Sequence, residues 1–446
     1  MSEAVVNIEF FDTTLRDGAQ ALPEDNQFPG DSKMAVAELL ASLGVGVIES
    51  GFPKTPSDGA EVFSVAKTVG NMPVEVAKWS DGQQSGTVLR PPVIAGLSRT
   101  TMDDIDATWE AVQDAARPRI HTFISTDSEH MQRKFVGKSP EQVFEMGRHA
   151  IRYSLDISSA HEDASVEFSA EAASTTEPDF LERVVKMAVD EGVDVINVPD
   201  TVGQRTPSWM TDFYDDIIRW VHEINPSVVV SAHNHNDMGL AVANSYSLVE
   251  AAVMLAVREQ KEVNIQIEST VCGLGERAGN ADIFPIVALL DKHTDDMPAS
   301  VRWEFNRVLS KPLAEAIMDW AKLDVHAKNP IVGTLINQHF AGIHSDGILK
   351  GGEDGYKIYT PFDPRSYGHS ESAIHQDGKY QGRAGRAAIR STNSSPDGEG
   401  DETIQANKPK MRRLKDATTK QERDEIIARN IVKTTVTGPS DRKPKS

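Results

Sequence analysis

Two patterns of hydrophobic and polar positions alternate along the chain. Segments with apolar residues at i, i+3 and i+4, such as 34–41, 179–189 and 209–221, predict amphipathic helices. Short apolar runs between them are rich in β-branched residues and predict strands. The predicted strands lie within 7–12 and at 44–51, 92–97, 120–125, 165–168, 195–198, 228–233 and 263–268. The polar segment 71–91 fits neither pattern, and 301–323 is predicted to be helical.

Eight strands that alternate with helices indicate parallel strands joined by helical crossovers. The number eight favours a closed (β/α)8 TIM barrel, with an open doubly wound sheet as the alternative. The loop after the first strand has no Gly-x-Gly-x-x-Gly sequence, which disfavours a dinucleotide-binding sheet. We therefore predict an α/β protein, a TIM barrel followed by a mostly α-helical C-terminal subdomain.

The domain boundaries are predicted from where the alternation stops. The barrel is expected over 1–295 and the C-terminal subdomain, with helical and loop segments, over 296–390. Residues 391–446 are expected to form a linker, a short charged helix at about 412–430 and a disordered tail. Ser, Asn, Pro, Gly and charged residues dominate that last region.

Composition narrows the classes of function. The formal net charge of −21 disfavours a partner such as nucleic acid or a membrane surface. It still allows an anionic substrate, because a metal or a local basic pocket can reverse the field. The single cysteine, Cys272, excludes an internal disulfide. The N-terminus shows no signal-peptide pattern and no apolar run is long enough to span a bilayer, so we expect a cytoplasmic protein.

Charged and polar residues follow most of the predicted strands. In a barrel the carboxyl ends of all strands meet at one mouth, where catalytic residues are found. Buried charges at such positions require partners or a function. The residues concerned are Asp12, Arg16, Asp17, Glu49, His121, Glu167, Asp200, Thr201, His233, His235, Asp237 and Glu268.

His233 and His235 give the sharpest local pattern. Alternate residues of a strand project to the same side, so the two imidazoles can share one cation. Asp17 is the candidate carboxylate ligand, and Asn280 in the glycine loop 273–280 could add a neutral oxygen. Two histidines and a carboxylate suit Zn, Mn or Co, and Mg is the least natural choice for imidazole. The structural alternative is a pair of histidines that bind nothing, with a tight turn at the glycine loop.

Several segments together resemble the 2-isopropylmalate synthase/homocitrate synthase family, the Claisen-condensing branch of the DRE-TIM metallolyases. The segments that carry the resemblance are 12–18, 233–245 and 273–280. Residues 120–124 and 166–171 resemble the isopropylmalate branch in particular. The similarity covers about residues 5–290, and 340–385 more loosely.

The resemblance implies an acyltransferase. Such enzymes remove a proton from the methyl group of acetyl-CoA, add the enolate to the ketone of a 2-oxo acid, and hydrolyse the thioester. A divalent metal held by Asp17, His233 and His235, with Asn280 nearby, would bind the oxygens of the 2-oxo acid. 2-Oxoisovalerate, which gives 2-isopropylmalate in leucine biosynthesis, is the first candidate. Homocitrate, citramalate and Re-citrate synthases, which use 2-oxoglutarate, pyruvate and oxaloacetate, are the alternatives.

Further site residues are implied by the same resemblance. Arg16 matches the catalytic arginine that holds the oxo group of the substrate, and a rigid guanidinium fork suits that task. His121, Glu167 and Thr201 match positions that line the substrate pocket, and Glu167 is also implied as a catalytic residue.

The resemblance places the base for proton abstraction after the barrel. Residues 343–347 and 359–365 look like the segments that supply a His and a Tyr in relatives, often from a second subunit. His344 is therefore the candidate base and Tyr359 its assistant, and the protein is expected to be a homodimer whose C-terminal segment completes the neighbouring active site.

Two departures from the family pattern limit the prediction. Ala19 stands where the family often has Glu, which leaves the identity of the 2-oxo acid open. The linker and helix occupy the place of a leucine-binding regulatory domain, so we expect no control by leucine through that domain.

Three rival classes remain as alternatives. A hydroxymethylglutaryl-CoA-type lyase would need a cysteine in the loop after Gly275, and 276–279 contains none. A biotin-dependent carboxyltransferase would need a lysine among the strand-end residues. A metal-stabilised scaffold without activity would leave Arg16, Glu167 and His344 without a role.

Overall fold

The computed structural model describes residues 4–23, 28 and 30–375. Its strands are β1 (Val5–Asp12), β2 (Val47–Glu49), β3 (Val74–Ser80), β4 (Gln83–Arg90), β5 (Val93–Arg99), β6 (Pro118–Ser125), β7 (Ser165–Glu171), β8 (Val195–Asn197), β9 (Val229–His233), β10 (Glu262–Ser269), β11 (Ser300–Glu304), β12 (Gln338–His339) and β13 (Ile374–His375). Its α-helices are α1 (Gly30–Leu43), α2 (Pro56–Thr68), α3 (Met102–Val112), α4 (Ser128–Lys134), α5 (Pro140–Ser158), α6 (Pro178–Glu191), α7 (Pro207–Ile224), α8 (Ala241–Glu259), α9 (Ile283–His293), α10 (Ser310–Trp320) and α11 (Gly342–Lys350). Shorter turns are one π-turn at Thr14–Gly18 and 3-10 turns at Val69–Asn71, Ala173–Thr175, Val271–Gly273, Thr294–Asp296, Arg307–Leu309, Gly352–Ile358 and Pro364–Tyr367.

Eight parallel strands close into a barrel in the order β1-β2-β5-β6-β7-β8-β9-β10, and β10 pairs back to β1. Each of the eight predicted strands overlaps one of these. Helices lie between successive strands, as parallel pairing requires. The predicted TIM barrel is confirmed, and the doubly wound alternative is wrong because the sheet has no open end within these eight strands.

A small extension of the sheet was not predicted. The segment 71–91 forms an antiparallel hairpin of β3 and β4, and β11 joins it to the first half of β1. The helical prediction for 301–323 is wrong at its start: β11 is a strand, and a helix begins only at Ser310. The reason is a period of two in Ser300–Glu304, where Val301 and Trp303 are buried and Arg302 is exposed.

Strand β1 shows how the barrel directs its side chains. Phe11 contacts His121 of β6 edge-to-face, with ring centroids 5.8 Å apart, so it faces the barrel interior. Phe10 faces the other way and meets Phe305 at 5.6 Å. The alternation carries polar residues after β1, and after the other strands, to the mouth at the carboxyl ends.

The described residues divide into two compact units, one ending at Asn306 and one beginning at Arg307. The first unit runs past residue 295 because β11 pairs with β1. The described part of the second unit is mostly helical and contains α10 and α11. The linker, helix and tail predicted within 391–446 lie outside the described residues. Among the described helices, none is both long and apolar enough to cross a membrane.

Candidate metal centre and active site

The turn after β1 is built by its own threonines. The backbone carbonyl of Thr13 accepts hydrogen bonds from the amides of Arg16, Asp17 and Gly18 at 3.1, 2.9 and 3.1 Å, and the bond from Gly18 closes the π-turn Thr14–Gly18. The hydroxyl of Thr14 accepts from the amide of Val271 at 2.9 Å and so ties the turn to the chain after β10. These contacts hold Arg16 and Asp17 side by side at the mouth.

Asp17, His233 and His235 meet there. One carboxylate or imidazole ligand atom from each lies within 4.8 Å of the others, and all three residues are buried. The Nε2 atoms of the two histidines are 3.3 Å apart, and Asp17 Oδ2 is 3.7 Å from Nε2 of His233. The structure thus brings together residues more than 200 positions apart in the sequence.

Glu268 orients the imidazole ring of His233 through a hydrogen bond. Its Oε2 lies 2.7 Å from Nδ1 of His233, so Nδ1 carries a hydrogen, and in the neutral imidazole the lone pair is on Nε2, the nitrogen nearer Asp17. Burial alone would lower the pKa of His233, but the charge of Glu268 holds it above its usual value. Burial and then the neighbouring His233 lower the pKa of His235, so the imidazole of His235 is neutral.

Asn280 is the fourth predicted member of this group. A backbone bridge pairs it with His235, and its Nδ2 donates to Asp17 Oδ2 at 2.6 Å. Burial alone would raise the pKa of Asp17, but Arg16, and then the two histidines, lower it, so Asp17 is ionised. Among the described residues, Asn280 Oδ1 and His235 Nδ1 are buried and have no hydrogen-bond partner.

These residues fit a divalent cation. The Nε2 atoms of the two histidines face one another at 3.3 Å, and the ionised carboxylate of Asp17 lies 3.7 Å from one of them, so two ring nitrogens and a carboxylate oxygen are within reach of one cation. An amide oxygen without a partner beside Asp17 and His235 adds a further oxygen ligand if the carboxamide turns over. The donor set of two nitrogens and carboxylate oxygen suits Zn, Mn or Co better than Mg.

Arg16 lies against the triad and is held by two carboxylates. Its Nε donates to Glu49 Oε2 at 2.6 Å, and its Nη1 is 3.1 Å from Asp17 Oδ1. Thr13 donates its hydroxyl hydrogen to the same Glu49 oxygen at 2.6 Å. Burial alone would raise the pKa of Glu49, but Arg16 and His121 outweigh it and lower the pKa to about 2. The guanidinium is therefore fixed in one orientation with its side chain 11% exposed.

His121 extends this cluster across the barrel. Its Nδ1 contacts Glu49 Oε1 at 2.7 Å, and its Nε2 contacts the hydroxyl of Ser169 at 2.7 Å. Burial alone would lower the pKa of His121, but Glu167, followed by Glu49, raises it to about 8. The charged imidazole can donate to both neighbours at once.

Glu167 lies fully buried among polar residues of the barrel interior. Its Oε2 accepts from Nη1 of Arg119 at 3.1 Å, and its Oε1 accepts from Nε2 of Gln266 at 2.8 Å. Burial raises the pKa of Glu167 above its usual value. One side-chain oxygen or nitrogen of each of Glu167, His121 and Glu268 lies within 4.8 Å of those of the other two. The cluster around His121 and the pair of Glu268 and His233 are therefore close to each other.

Thr201 braces loops at the mouth. Its hydroxyl accepts from the amide of Ala172 at 3.0 Å, and its backbone carbonyl accepts from Nη2 of Arg277 at 2.8 Å. Arg277 also forms a two-pronged ion pair with Asp237, with both N–O distances 2.9 Å. The loop after β9 is thereby joined to the glycine loop 273–280.

His344 and Tyr359 lie together in the second unit. Their rings stack with centroids 3.9 Å apart and planes inclined by 10°. His339 approaches His344 at 5.7 Å between ring centroids. The structure therefore brings together the two residues for which the family resemblance implies the roles of base and assistant.

Sequence reasoning missed the polar residues in the middle of strands. Arg119, Ser231 and Gln266 are buried and bonded to Glu167 or to one another. The clue was polar residues that alternate within an otherwise apolar strand, as at Asn264, Gln266 and Glu268. Arg119, Ser231 and Gln266 lie inside their strands, so a search restricted to strand ends does not include them.

A closed (β/α)8 barrel with two histidines and an aspartate at its carboxyl mouth defines a class of barrel proteins with a candidate metal centre. Residues 7–309 match the HMGL-like family. The chain belongs to the HMGL-like family, and the resemblance to its 2-isopropylmalate synthase branch is confirmed by the relatives described next.

The curated relatives are named 2-isopropylmalate synthase. The protein from Shouchella clausii is 34% identical over 79% of this chain and 61% of its own length, and that from Pyrococcus furiosus is 36% identical over 84% and 66%. The chain therefore spans about three fifths to two thirds of the length of these relatives. The HMG-CoA lyase of Bacillus subtilis has a TM-score of 0.52 at 17% identity, covers 74% of this chain and 98% of its own, and shows the same fold.

Proposed function

We propose that the protein is an acyltransferase that condenses acetyl-CoA with a 2-oxo acid, by Claisen condensation followed by thioester hydrolysis. The observation that carries the proposal is the group of Asp17, His233 and His235 with Arg16 fixed beside it. Relatives named 2-isopropylmalate synthase make 2-oxoisovalerate the first candidate acceptor. The homocitrate, citramalate and Re-citrate reactions are the alternatives.

The proposed metal ligands are Asp17, His233, His235 and, after rotation of its carboxamide, Asn280. These residues would hold a divalent ion, which would supply Lewis acidity to the oxygens of a 2-oxo acid. Glu268 keeps the His233 ring turned towards the site. Burial of all these side chains excludes water and strengthens their interaction with charge.

Arg16 is proposed to bind the oxo group of the acceptor. Glu49 fixes the Nε side of the guanidinium and Asp17 contacts Nη1, so the orientation of the remaining N–H groups is set before substrate binds. His121 and Glu167 are proposed to line the acceptor pocket, with Thr201 at its rim. Glu167, buried with a raised pKa, is further proposed as a proton carrier in catalysis.

His344 is proposed as the base that takes a proton from the methyl group of acetyl-CoA, and Tyr359 as its assistant. The stacked rings restrain the imidazole, which can accept the proton at a ring nitrogen. We propose that in a homodimer the second unit of one copy completes the site of the other.

The decisive experiment measures release of the CoA thiol by the purified protein. Acetyl-CoA is supplied with 2-oxoisovalerate, 2-oxoglutarate, pyruvate or oxaloacetate in turn, each with Mn²⁺, Zn²⁺, Co²⁺ or Mg²⁺. Release is expected with one acceptor far above the other three, and only with metal. Absence of release in every combination would contradict the proposed function.

The ligand assignment is tested separately with His235→Ala. Loss of bound metal and of thiol release together is expected, because the variant removes a nitrogen from a three-residue site. Retention of both would show that the site lies elsewhere.

A further inference from the structure

A chain of hydrogen bonds runs through the barrel interior to the candidate metal ligand His233. Nη1 of Arg119 donates to Gln266 Oε1 at 2.7 Å, and Gln266 Nε2 donates to the hydroxyl oxygen of Ser231 at 2.9 Å. Ser231 donates to Glu268 Oε1 at 3.4 Å, and Glu268 Oε2 meets Nδ1 of His233 at 2.7 Å. Every member of the chain is buried.

The chain has only one possible direction, and Arg119 sets it. A guanidinium only donates, so the oxygen of the Gln266 amide must face Arg119 and its nitrogen must face Ser231. Because the Ser231 oxygen then accepts a hydrogen, its own hydrogen is available for Glu268. Both oxygens of Glu268 are thereby engaged, one by Ser231 and the other by the Nδ1–H of His233.

We propose that Gln266 is a positioning residue for the metal centre, acting through Ser231 and Glu268 on the orientation of the His233 ring. The inference rests on the metal centre of the proposed function. Gln266 also donates to Glu167, a residue of the proposed acceptor pocket, at 2.8 Å. The same amide therefore holds Glu167 directly and Glu268, which contacts His233, through Ser231. Removal of its hydrogen bonds should loosen the ring without removing any ligand.

The experiment titrates cobalt(II) alone into the full chain, in competition with a chromophoric chelator. Gln266→Met keeps the approximate size of the side chain but has no amide, and Ser231→Ala removes only the two hydrogen bonds of Ser231, one with Gln266 and one with Glu268. Both variants are expected to bind cobalt(II) about tenfold more weakly, because removing a residue that orients a metal ligand lowers metal affinity by about this factor. The visible absorption of bound cobalt(II) should also change, because the ring nitrogen is displaced.

Ser165→Ala is the matched control. Ser165 accepts from Nε of Arg119 at 2.9 Å but lies outside the chain to His233, so its cobalt(II) affinity and spectrum should equal those of the wild type. If Gln266→Met does not fold, Ser231→Ala decides alone, since it leaves the contacts of Gln266 with Arg119 and Glu167 in place. Equal weakening by Ser165→Ala would mean a general effect of the interior and would overturn the proposal.

The outcomes separate this inference from the proposed function. A wild type that binds cobalt(II), with both chain variants binding equally well and with unchanged spectra, overturns the role of Gln266 and leaves the metal centre standing. A wild type that does not bind cobalt(II) overturns both.

Discussion

Arg16 contacts both Glu49, beside the proposed acceptor pocket, and Asp17, a proposed metal ligand. Glu49 and Asp17 grip different nitrogens of one planar group, so the orientation of the guanidinium matters as well as its charge. A lysine has the charge but cannot reproduce the fork.

Arg16→Lys is therefore expected to lower kcat/KM for thiol release by about 100-fold, the size of effect that follows from misplacing one catalytic group. Bound metal should be retained, because Asp17 and both histidines are unchanged. Arg152→Lys is the matched control, since Arg152 makes a comparable two-pronged pair with Glu191 on the exposed surface of α5. Unaltered turnover in Arg16→Lys would exclude Arg16 as the group that binds the oxo oxygen.

Asp12, at the end of β1, is buried and has a different role from Asp17. Its Oδ1 accepts from the amide of Thr14 at 2.8 Å, and among the described residues its Oδ2 has no partner. Burial raises the pKa of Asp12 to about 7. An unfolded chain releases this proton near pH 4, whereas the folded chain keeps it to about pH 7.

The folded state therefore binds the proton that the unfolded state has lost, and Asp12 lowers stability as pH rises between these values. Asp12→Asn should remove that contribution, which amounts to about 1.4 kcal/mol per pH unit. Urea unfolding at pH 5 and pH 7 measures this contribution. The free energy of unfolding of the variant, relative to that of the wild type, should be higher at pH 7 than at pH 5. A stability difference independent of pH would show that Asp12 is ionised in the fold.

At the scale of elements, the glycine loop 273–280 positions Asn280. The amide of Asn280 donates to the carbonyl of Gly273 at 3.0 Å. Gly279 has φ +96°, and a Cβ there would lie 2.0 Å from that same carbonyl oxygen. Backbone strain and a direct clash both restrict this position to glycine.

Gly279→Ala is expected to displace Asn280, with weaker metal binding and a loss of unfolding free energy above about 2 kcal/mol. Gly137→Ala is the control: its φ is +80°, but nothing lies within 4 Å of a Cβ there. The control should lose about 1–2 kcal/mol and bind metal as the wild type does. Chelator competition and urea unfolding measure both quantities, and identical behaviour of the two variants would refute the role of the loop.

At the scale of the whole molecule, the residues proposed for catalysis are divided between two units. Asp17, His233 and His235 belong to the barrel, and His344 with Tyr359 belongs to the second unit. A site completed by a second copy can therefore be tested by mixing two inactive variants.

His235→Ala and His344→Ala should each lack thiol release. If the second unit of one copy serves the barrel of another, co-expression should restore about a quarter of the wild-type activity, since half the dimers are mixed and each has one intact site. Each variant expressed alone is the control. No recovery in dimers shown by mass to be mixed would mean that each copy builds its own site.

The hydrophobic pattern by itself determined the eight barrel strands, because strand and helix periods are local properties of the sequence. It also located Asp17, His233 and His235, since residues after barrel strands meet at one mouth whatever their separation in sequence. The hydrophobic pattern did not identify β11, because five residues are too few to distinguish a short strand from the start of a helix. It also did not identify the hairpin in 71–91, because β4 is largely exposed and has no apolar pattern.

Only the tertiary structure decided how the site residues are held. The bonds of Glu268 with His233 and of Gln266 with Ser231 join paired residues on the neighbouring strands β10 and β9, and Arg119 of β6 reaches Gln266 across the barrel. Glu49 of β2 holds Arg16 in the turn after β1. Such contacts depend on strand register and barrel closure, which no local pattern specifies. The sequence alone therefore indicated the candidate ligands, and the register of β9 against β10, which places Glu268 beside His233, determined which nitrogen of His233 faces the site.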